Sequence, residues 1–459
     1  MRNVKWFLAS ALLAAGILFG AGNHVDAASV KIDEKTFPDA CVRASVDKYD
    51  INKDGILSDE ERGKVTTFSY TDLRISQNYK ESSKIDFTGM QLFGNIHSLK
   101  YLVLENMPAQ QMDLTPLSTT KLETLSLEDC KISALNLKPL TKMNLKKLYV
   151  INCTLKSIDV SPLKNTLQEL WLGEPQQMYL SLGKECMQTK AKYKTLDLSQ
   201  MKRLKRVYAC GIPSLTKVTL KKGSQSASAL KELHLYGTAI KSMNASGAIK
   251  LQRLFIGDKT SKLNISKCTQ LTELGMINNA TTNISIKSKS LQHIQYYGKK
   301  VKKLSFVNCP KLFSLRTACS TVNTLDLSHN KNLHYLDLSN KKTGKVIYPK
   351  VQTKGWSGYY ELVDSYFANR YTRDMDIADG VYNVYTGYSS QGAVGTLDVS
   401  AWKVMNNYVR KRQITNEYTL HKGKNGVPKK LVINKKLRKA DKKWIKKLAK
   451  KWKIKVVEK

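Results

Sequence analysis

Leucine recurs at a nearly fixed interval from Leu230 to Leu338. Cut at that interval, the stretch reads LKELHLYGTAIKSMNASGAIK, LQRLFIGDKTSKLNISKCTQ, LTELGMINNATTNISIKSKS, LQHIQYYGKKVKKLSFVNCPK, LFSLRTACSTVNTLDLSHNKN and LHYLDLSN. The rows open at Leu230, Leu251, Leu271, Leu291, Leu312 and Leu333, with spacings of 21, 20, 20, 21 and 21. A period of this length marks a solenoid, because one row alone cannot bury its apolar face. Each row opens Leu-x-x-Leu-x-Leu or a close variant. Each later carries a second alternating run, such as LNIS or LDLS. Alternation predicts a strand with one face buried. Two short strands per row, stacked row on row, predict parallel sheets around a thin apolar core.

Upstream, longer rows open at Leu99, Leu122, Leu145, Leu167 and Leu204, with spacings of 23, 23, 22 and 37. LETLSLEDCKI and LKKLYVINCTL fit L-x-x-L-x-L-x-x-N/C-x-L, with Val150 as the third leucine of the second. On these residues the chain resembles bacterial leucine-rich repeat surface proteins, especially internalin-type solenoids. Eleven row openings carry the resemblance from Leu99 to about Asn340. It implies a mainly β fold: a leucine-rich repeat solenoid with rows of 21–23 residues over 65–340, a small helical N-terminal cap and a small β-rich C-terminal domain. It also implies binding to a macromolecule. Such folds host many partners, so the resemblance names none.

Arg2 and Lys5 precede an apolar run from Trp6 to about Gly22, and small residues at Val25-Asp26-Ala27 follow. This predicts a signal peptide over 1–27, and hence a secreted or cell-surface protein with no membrane span after cleavage. No Leu-Pro-x-Thr-Gly sorting signal is present, so surface association is expected to be non-covalent. A bacterial, monomeric binding protein is the expectation. The formal charge of +39 attracts polyanions. For an exported protein, anionic wall polymers, lipids or glycans fit that field better than a specific nucleic acid. Eight cysteines would suit a disulfide framework. However, Cys130, Cys153, Cys268 and Cys309 fall at matched row positions, which predicts stacked interior thiols.

Residues 28–64 hold nine acids and seven bases, an acidic island on a basic chain. Within them, Asp50 to Glu61 matches D-x-[DN]-x-[DN]-G-x₅-E, the EF-hand loop. One Ca²⁺ is expected there. Asp50, Asn52 and Asp54 would give side-chain oxygens, Ile56 its carbonyl, Ser58 a direct or water-bridged contact and Glu61 both carboxylate oxygens. Phe37 to Tyr49 reads as the entering helix. Residues 65–98 read as a degenerate first row, with Ile85-Asp86-Phe87 as its second strand.

From Leu172 to Leu196 there are 24 residues where Leu127 to Leu135 needs 8, so an inserted loop is expected near Pro175 to Ala191. Residues 341–420 break the period and are rich in Tyr and Trp, which predicts a separate small β domain. A sugar-binding role for its aromatic faces is weighed against a plain aromatic core. Residues 421–459 carry 17 Lys+Arg against Asp441 and Glu458. They read as a basic segment able to hold anionic wall polymer, with a helix over Asp441 to Lys451 and short strands near Leu431 and Ile454.

No catalytic constellation stands out: there is no HExxH, GxSxG, P-loop or CxxC, and no nucleophile is placed beside a base. The carboxylates Asp364, Asp374, Asp376 and Asp379 are the nearest thing to a cluster. The rows instead offer a surface. In Leu-x-x-Leu-x-Leu, the residue between the last two leucines projects outward on the concave sheet. These residues are Val103, Ser126, Tyr149, Trp171, Tyr208, His234, Phe255, Gly275, Gln295 and Arg316, with Tyr236 and Tyr297 two places on. Tyr149, Trp171, Tyr208, His234 and Phe255 make an aromatic stripe, expected to be exposed and to anchor a protein or glycan ligand.

Overall fold

A computed structural model of the chain describes residues 29–70, 84–93, 99–107, 111–173, 189–257, 259–277, 283–298, 301, 303–319, 321–330, 332–333, 335–338, 342–347, 383–385, 393–398, 400 and 429–459. The two runs expected in each row form two parallel walls. The first is a sheet of 13 strands in strict chain order. It begins at Thr67–Tyr70, passes Lys147–Ile151, Glu169–Trp171, Arg206–Tyr208, Glu232–Leu235, Arg253–Ile256, Glu273–Ile277 and His293–Gly298, and ends at Asn383–Tyr385. Every pairing in it is parallel and in register. The second wall starts as pairs, such as Thr195–Asp197 with Lys217–Thr219 and Ser242–Asn244 with Lys262–Asn264. It then becomes a continuous parallel sheet of seven strands from Asn283–Lys287 to Lys455–Glu458. In three early rows, Pro-containing 3-10 turns at Thr115–Leu117, Lys138–Leu140 and Ser161–Leu163 follow the second run.

The leucines do what alternation demands. Leu102, Leu125, Leu148, Leu170, Leu233, Leu254 and Leu274 are fully buried between the walls. At about 25 cal/mol per Å² of apolar area, this stacked burial is the main drive for coiling.

The recurring Asp or Asn of LDLS and LNIS has a separate task. Its Oδ1 accepts the backbone N–H two residues on, in row after row: Asp113 from Thr115, Asn136 from Lys138, Asp159 from Ser161, Asp197 from Ser199, Asn244 from Ser246, Asn264 from Ser266, Asp326 from Ser328 and Asp398 from Ser400. Each turn off the second wall is thus closed by a side chain that mimics a backbone turn. The turn off the first wall needs a left-handed residue. Asn106, Asp129 and Asn152 fill it at φ of 53–56°, and Gly211 and Gly237 at 68° and 66°. Glycine carries the least strain there, and Asn and Asp tolerate it.

At the N-terminus, α1 (Ala40–Val46) begins at Asp39, whose carboxylate accepts from the Cys41 and Val42 amides. The helix therefore starts three residues after Phe37, which is itself buried. A short 3-10 turn, Asp47–Tyr49, leads into the acidic loop, and α2 (Asp59–Lys64) leads out. The degenerate first row is present: Thr67–Tyr70 pairs with Tyr101–Glu105, and Lys84–Asp86 with Gln111–Asp113.

The chain beyond residue 340 departs from expectation. Residues 341–420 do not begin a separate sheet where they are described. Lys342–Ile347 and Ala393–Asp398 add to the second wall, and Asn383–Tyr385 adds to the first. The period was lost because long insertions separate these strands, not because the ladder stops. Residues 429–459 are likewise no loose tail. Lys430–Ile433, α3 (Lys439–Trp452) and Lys455–Glu458 form a strand–helix–strand unit whose strands are the last two of the second wall. Leu431, Ile433, Leu437, Ile445 and Ala449 are buried in it. The helix and both strands are those expected from the sequence; their place in the second wall is not.

The expected signal peptide, most of the loop near Pro175 to Ala191, most of the aromatic-rich segment and its four Asp residues lie outside the described residues.

Candidate binding face and calcium loop

The register makes the outward face of the long sheet a set of columns, with rows about 4.8 Å apart. One column is the stripe read from the sequence. Ser126, Tyr149, Trp171, Tyr208, His234, Phe255, Gly275, Gln295 and Arg316 are consecutive register partners. The rings touch in order. Tyr149 to Trp171 is 5.5 Å between ring centres, Trp171 to Tyr208 4.1 Å, Tyr208 to His234 4.6 Å and His234 to Phe255 4.5 Å. Tyr236 leans from the next column onto Phe255, at 5.6 Å. Gly275 ends the stack of rings. A side chain there would strike the Phe255 ring and the Tyr236 hydroxyl.

The expected exposure is corrected. Phe255, His234 and Tyr208 are only 1%, 5% and 7% exposed, and Tyr236 and Tyr297 are also buried. The cause is the stack itself: rings on adjacent rows cover each other's faces. Only Tyr149 and Trp171, at its N-terminal end, remain partly open. The stripe is a second, outward apolar layer whose accessible end is the Tyr149–Trp171 pair.

A column two residues back went unread. Lys147, Glu169, Arg206, Glu232, Arg253 and Glu273 are register partners and alternate in sign. Glu169 binds Arg206 and lies 3.9 Å from Lys147. Arg253 reaches Glu232 at 3.6 Å and Glu273 at 3.5 Å. The Tyr208 hydroxyl donates to Glu232 Oε2 at 2.9 Å, tying the two columns together. Reading the residue before the second leucine of each row would have found this ladder.

Burial dominates the electrostatics. It pushes Glu273 up to about 7, with Arg253 pulling down and Glu232 pushing up. Burial, then Arg253, pushes His234 down to about 3, so its imidazole stays neutral in the fold. Neither His234 nitrogen has a hydrogen-bond partner, nor does Trp171 Nε1 or Gln295 Oε1. A buried polar atom left unpaired costs about 1–3 kcal/mol. The face thus carries unspent hydrogen-bonding capacity. His293 does not join His234. It occupies the ion-ladder column, three rows on, against Phe313 at 5.9 Å.

The acidic loop is closed by its own side chains. Asp50 Oδ2 accepts the Gly55 amide, Asn52 Oδ1 the Asp54 amide and Asp54 Oδ1 the Ile56 amide. Lys53 and Gly55 take the left-handed conformation. Ile56 and Leu57 pair with Lys31 and Val30 of the same chain, so the loop does not need a second hand as its strand partner. Asp50 is 1% exposed and its Oδ1 has no partner. A buried, orphaned carboxylate oxygen in such a loop fits a hard cation. Glu61 is engaged elsewhere. Its Oε2 accepts from the Ser58 amide and hydroxyl, and its Oε1 from the Ile51 amide. These bonds, Ser58's first, hold it below the usual carboxylate range. With Glu61 folded back, no three Asp, Glu, His or Cys side chains converge as a metal cage among the described residues. Asp50, Asn52, Asp54, the Ile56 carbonyl, Ser58 and Glu61 are nonetheless all oxygen donors on one short loop, and that chemistry suits calcium.

The seven described cysteines are buried and form no disulfide. Burial raises Cys268 and Cys309 to about 11, and Cys41 and Cys319 to about 12. Burial thus favours the protonated thiol, which packs as a small apolar group.

Two parallel walls, a leucine lining and a side-chain-closed turn in row after row decide the architecture. This is a leucine-rich repeat solenoid. No family model and no curated protein matches the chain. Among solved structures, the functional domain of InlJ from Listeria monocytogenes, described as including a cysteine ladder, is similar at 16% identity. The match covers 83% of this chain and 76% of that one, with a TM-score of 0.46. The leucine-rich repeat domain of APL1B is similar at 13% identity over 66% of this chain and 91% of that one, with a TM-score of 0.43. The leucine-rich repeat protein LIC12759 of Leptospira interrogans is similar at 15% identity over 85% and 99%, with a TM-score of 0.35. At these identities the likeness bears on fold alone. Among the described residues no helix is long and apolar enough to cross a membrane.

Proposed function

We propose that this chain is an exported, surface-associated binding protein that captures a protein ligand on the outward face of its long sheet, without catalysis. The observation that carries this reading is the pair of joined columns: a stack of five rings beside a charge ladder of alternating sign. Large rings at low entropic cost supply affinity, and fixed charges supply register. The open Tyr149–Trp171 end is where a ligand gains contact without unstacking anything. Tyr149→Ala with Trp171→Ala tests it. Trp171 packs on the Tyr208 ring, so the double variant should melt several degrees below wild type, and binding is measured well below that transition. Ligand pulled from candidate host or bacterial surface proteins by the wild-type chain should bind the double variant at least about tenfold more weakly, since losing one anchor typically costs about 2 kcal/mol or more. Equal binding would remove the face from the reading. A glycan ligand would instead show as array binding lost in the same variant.

The acidic loop is proposed to hold one calcium ion through Asp50, Asn52, Asp54, Ile56, Ser58 and Glu61. The orphaned Asp50 oxygen supports this, and the ion would brace the cap over the first row.

A further inference from the structure

The second wall carries a feature that neither the ring stack nor the calcium loop uses. Four successive rows cross it at Lys194-Thr195, Thr216-Lys217, Lys241-Ser242 and Ser261-Lys262. Each row presents one lysine and one hydroxyl, and their order reverses from row to row. All eight residues are exposed.

Register fixes the pattern within the first two rows and within the last two. Thr195 pairs with Lys217, and Ser242 with Lys262. The Thr216 amide and hydroxyl donate to the Lys194 carbonyl at 2.9 and 3.1 Å, and those of Ser261 to the Lys241 carbonyl at 2.9 and 3.3 Å. The two middle rows are tied by the Ala239 amide on the Leu215 carbonyl, at 2.9 Å. The hydroxyls thus clamp the backbone, and their short side chains keep a clear lane between the lysines. Within each pair of rows, about 4.8 Å between strands and about 3.3 Å between residues set the two lysine positions diagonally, roughly 5–6 Å apart, and the two pairs follow each other along the solenoid axis.

No carboxylate neutralises them. Lys194, Lys217, Lys241 and Lys262 form no ion pair among the described residues. The only acid in these strands, Asp197, has an oxygen engaged by the Ser199 amide. Residues 189–270 hold 17 Lys+Arg against three acids. The exposed hairpin Lys221–Lys222 with Gln225–Ser226 adds two more cations to this stretch. Four like charges held this close repel one another, and a neutral partner would not relieve that cost. A linear polyanion would, by laying one anionic group on each row and releasing counterions.

We propose that this lane binds a linear phosphate polymer lying along the solenoid axis. Ammonium groups are compact point charges suited to phosphate oxygens. The proposal is independent of the ligand face on the opposite wall.

The test uses the full chain and inorganic polyphosphate of several tens of units. Lys194→Gln, Lys217→Gln, Lys241→Gln and Lys262→Gln together should weaken binding at least 30-fold and flatten the log–log salt slope by about 3, from four lost contacts at roughly 0.7 each. A control with the same charge change, Lys100→Gln, Lys121→Gln, Lys138→Gln and Lys142→Gln, should lose less than threefold. Tripolyphosphate, too short to span the rows, should bind at least 100-fold more weakly than the polymer. Equal losses in the two quadruple variants would reduce the effect to net charge and overturn the lane. Equal binding of tripolyphosphate would overturn the linear register. Heparin bound as tightly as polyphosphate, with the same loss in the lane variant, would overturn the phosphate assignment. Melting curves of both variants should match wild type, because every substituted side chain is exposed.

Discussion

At the scale of single residues, two positions govern the ring stack. Gly275 gives Phe255 and Tyr236 their room, so Gly275→Ala should destabilise the chain by about 1–3 kcal/mol through overpacking. Urea unfolding would show it as a shifted midpoint with an unchanged slope. His234 is the second. Its folded pKa is depressed, so the unfolded chain takes up a proton near pH 6.5 that the folded chain refuses until about pH 3. Stability from His234 is therefore present above pH 6.5 and lost as pH falls. Glu273 has the opposite sign. Its folded pKa is raised to about 7, so its contribution is fully present below pH 4.5 and is lost as pH rises through 7. His293, also depressed by burial, follows His234. His234→Phe keeps the stack and removes two orphaned nitrogens. The advantage of this variant over wild type should grow by about 1 kcal/mol per pH unit as pH falls from 6.5 to 4.5, measured by urea unfolding. A constant difference would mean that His234 is charged in the fold. The column containing both residues was legible from Leu-x-x-Leu-x-Leu. Their burial was not, because a single row does not show that rings on adjacent rows will cover one another.

At the scale of elements, the repeat was legible wherever two rows follow each other without insertion. Alternating leucines set both walls and the register from Tyr149 to Arg316. The role of the Asp or Asn in LDLS and LNIS was not, because its partner is the backbone two residues on. Asn264→Ala should cost about 0.5–1.5 kcal/mol for the lost turn bond. Asp326→Ala should cost a similar amount, since the two rows are far enough apart to act independently. Additive midpoint shifts in the double variant would establish the turn as a per-row contribution. The acidic loop was legible as a motif, but the present engagement of Glu61 with Ser58 and Ile51 was not. Calcium at millimolar concentration, about the range for extracellular modules, should raise the melting temperature of wild type and leave Asp50→Asn unmoved. Calorimetry without heat in the wild type would remove the ion from the account.

At the scale of the whole molecule, the question is where the solenoid ends. The break in the period placed a boundary near residue 340, and charge marked off a basic segment over 421–459 with its own helix and strands. The ladder ignores both. It continues through Lys342–Ile347 and Ala393–Asp398 into Lys430–Ile433 and Lys455–Glu458. A stacked sheet exposes unpaired N–H and C=O groups at its last strand unless something covers or blunts it. Here the closing strand is short, and its Glu458 holds Lys442 of α3 at 2.6 Å, fixing the helix to the edge. Asp441, fully buried, is bound by Arg438 at 2.9 Å at the start of the same helix. The helix and strands were legible from their apolar spacing, with Leu431, Ile433, Ile445 and Ala449 on the core face; their pairing onto Ala393–Asp398 was not, because no row of leucines leads up to it. Deleting 429–459 removes that core and bares the Ala393–Asp398 strand. The truncated chain should therefore unfold at lower denaturant and associate through the open edge, visible as concentration-dependent growth in light scattering. A basic appendage with no structural part would leave both measurements unchanged and alter only retention on anionic matrices. Charge alone can be separated from closure by replacing the exposed Lys443, Lys446, Lys447 and Lys450 with Gln. That variant should stay monomeric with a near wild-type midpoint, because the strand and its buried contacts remain.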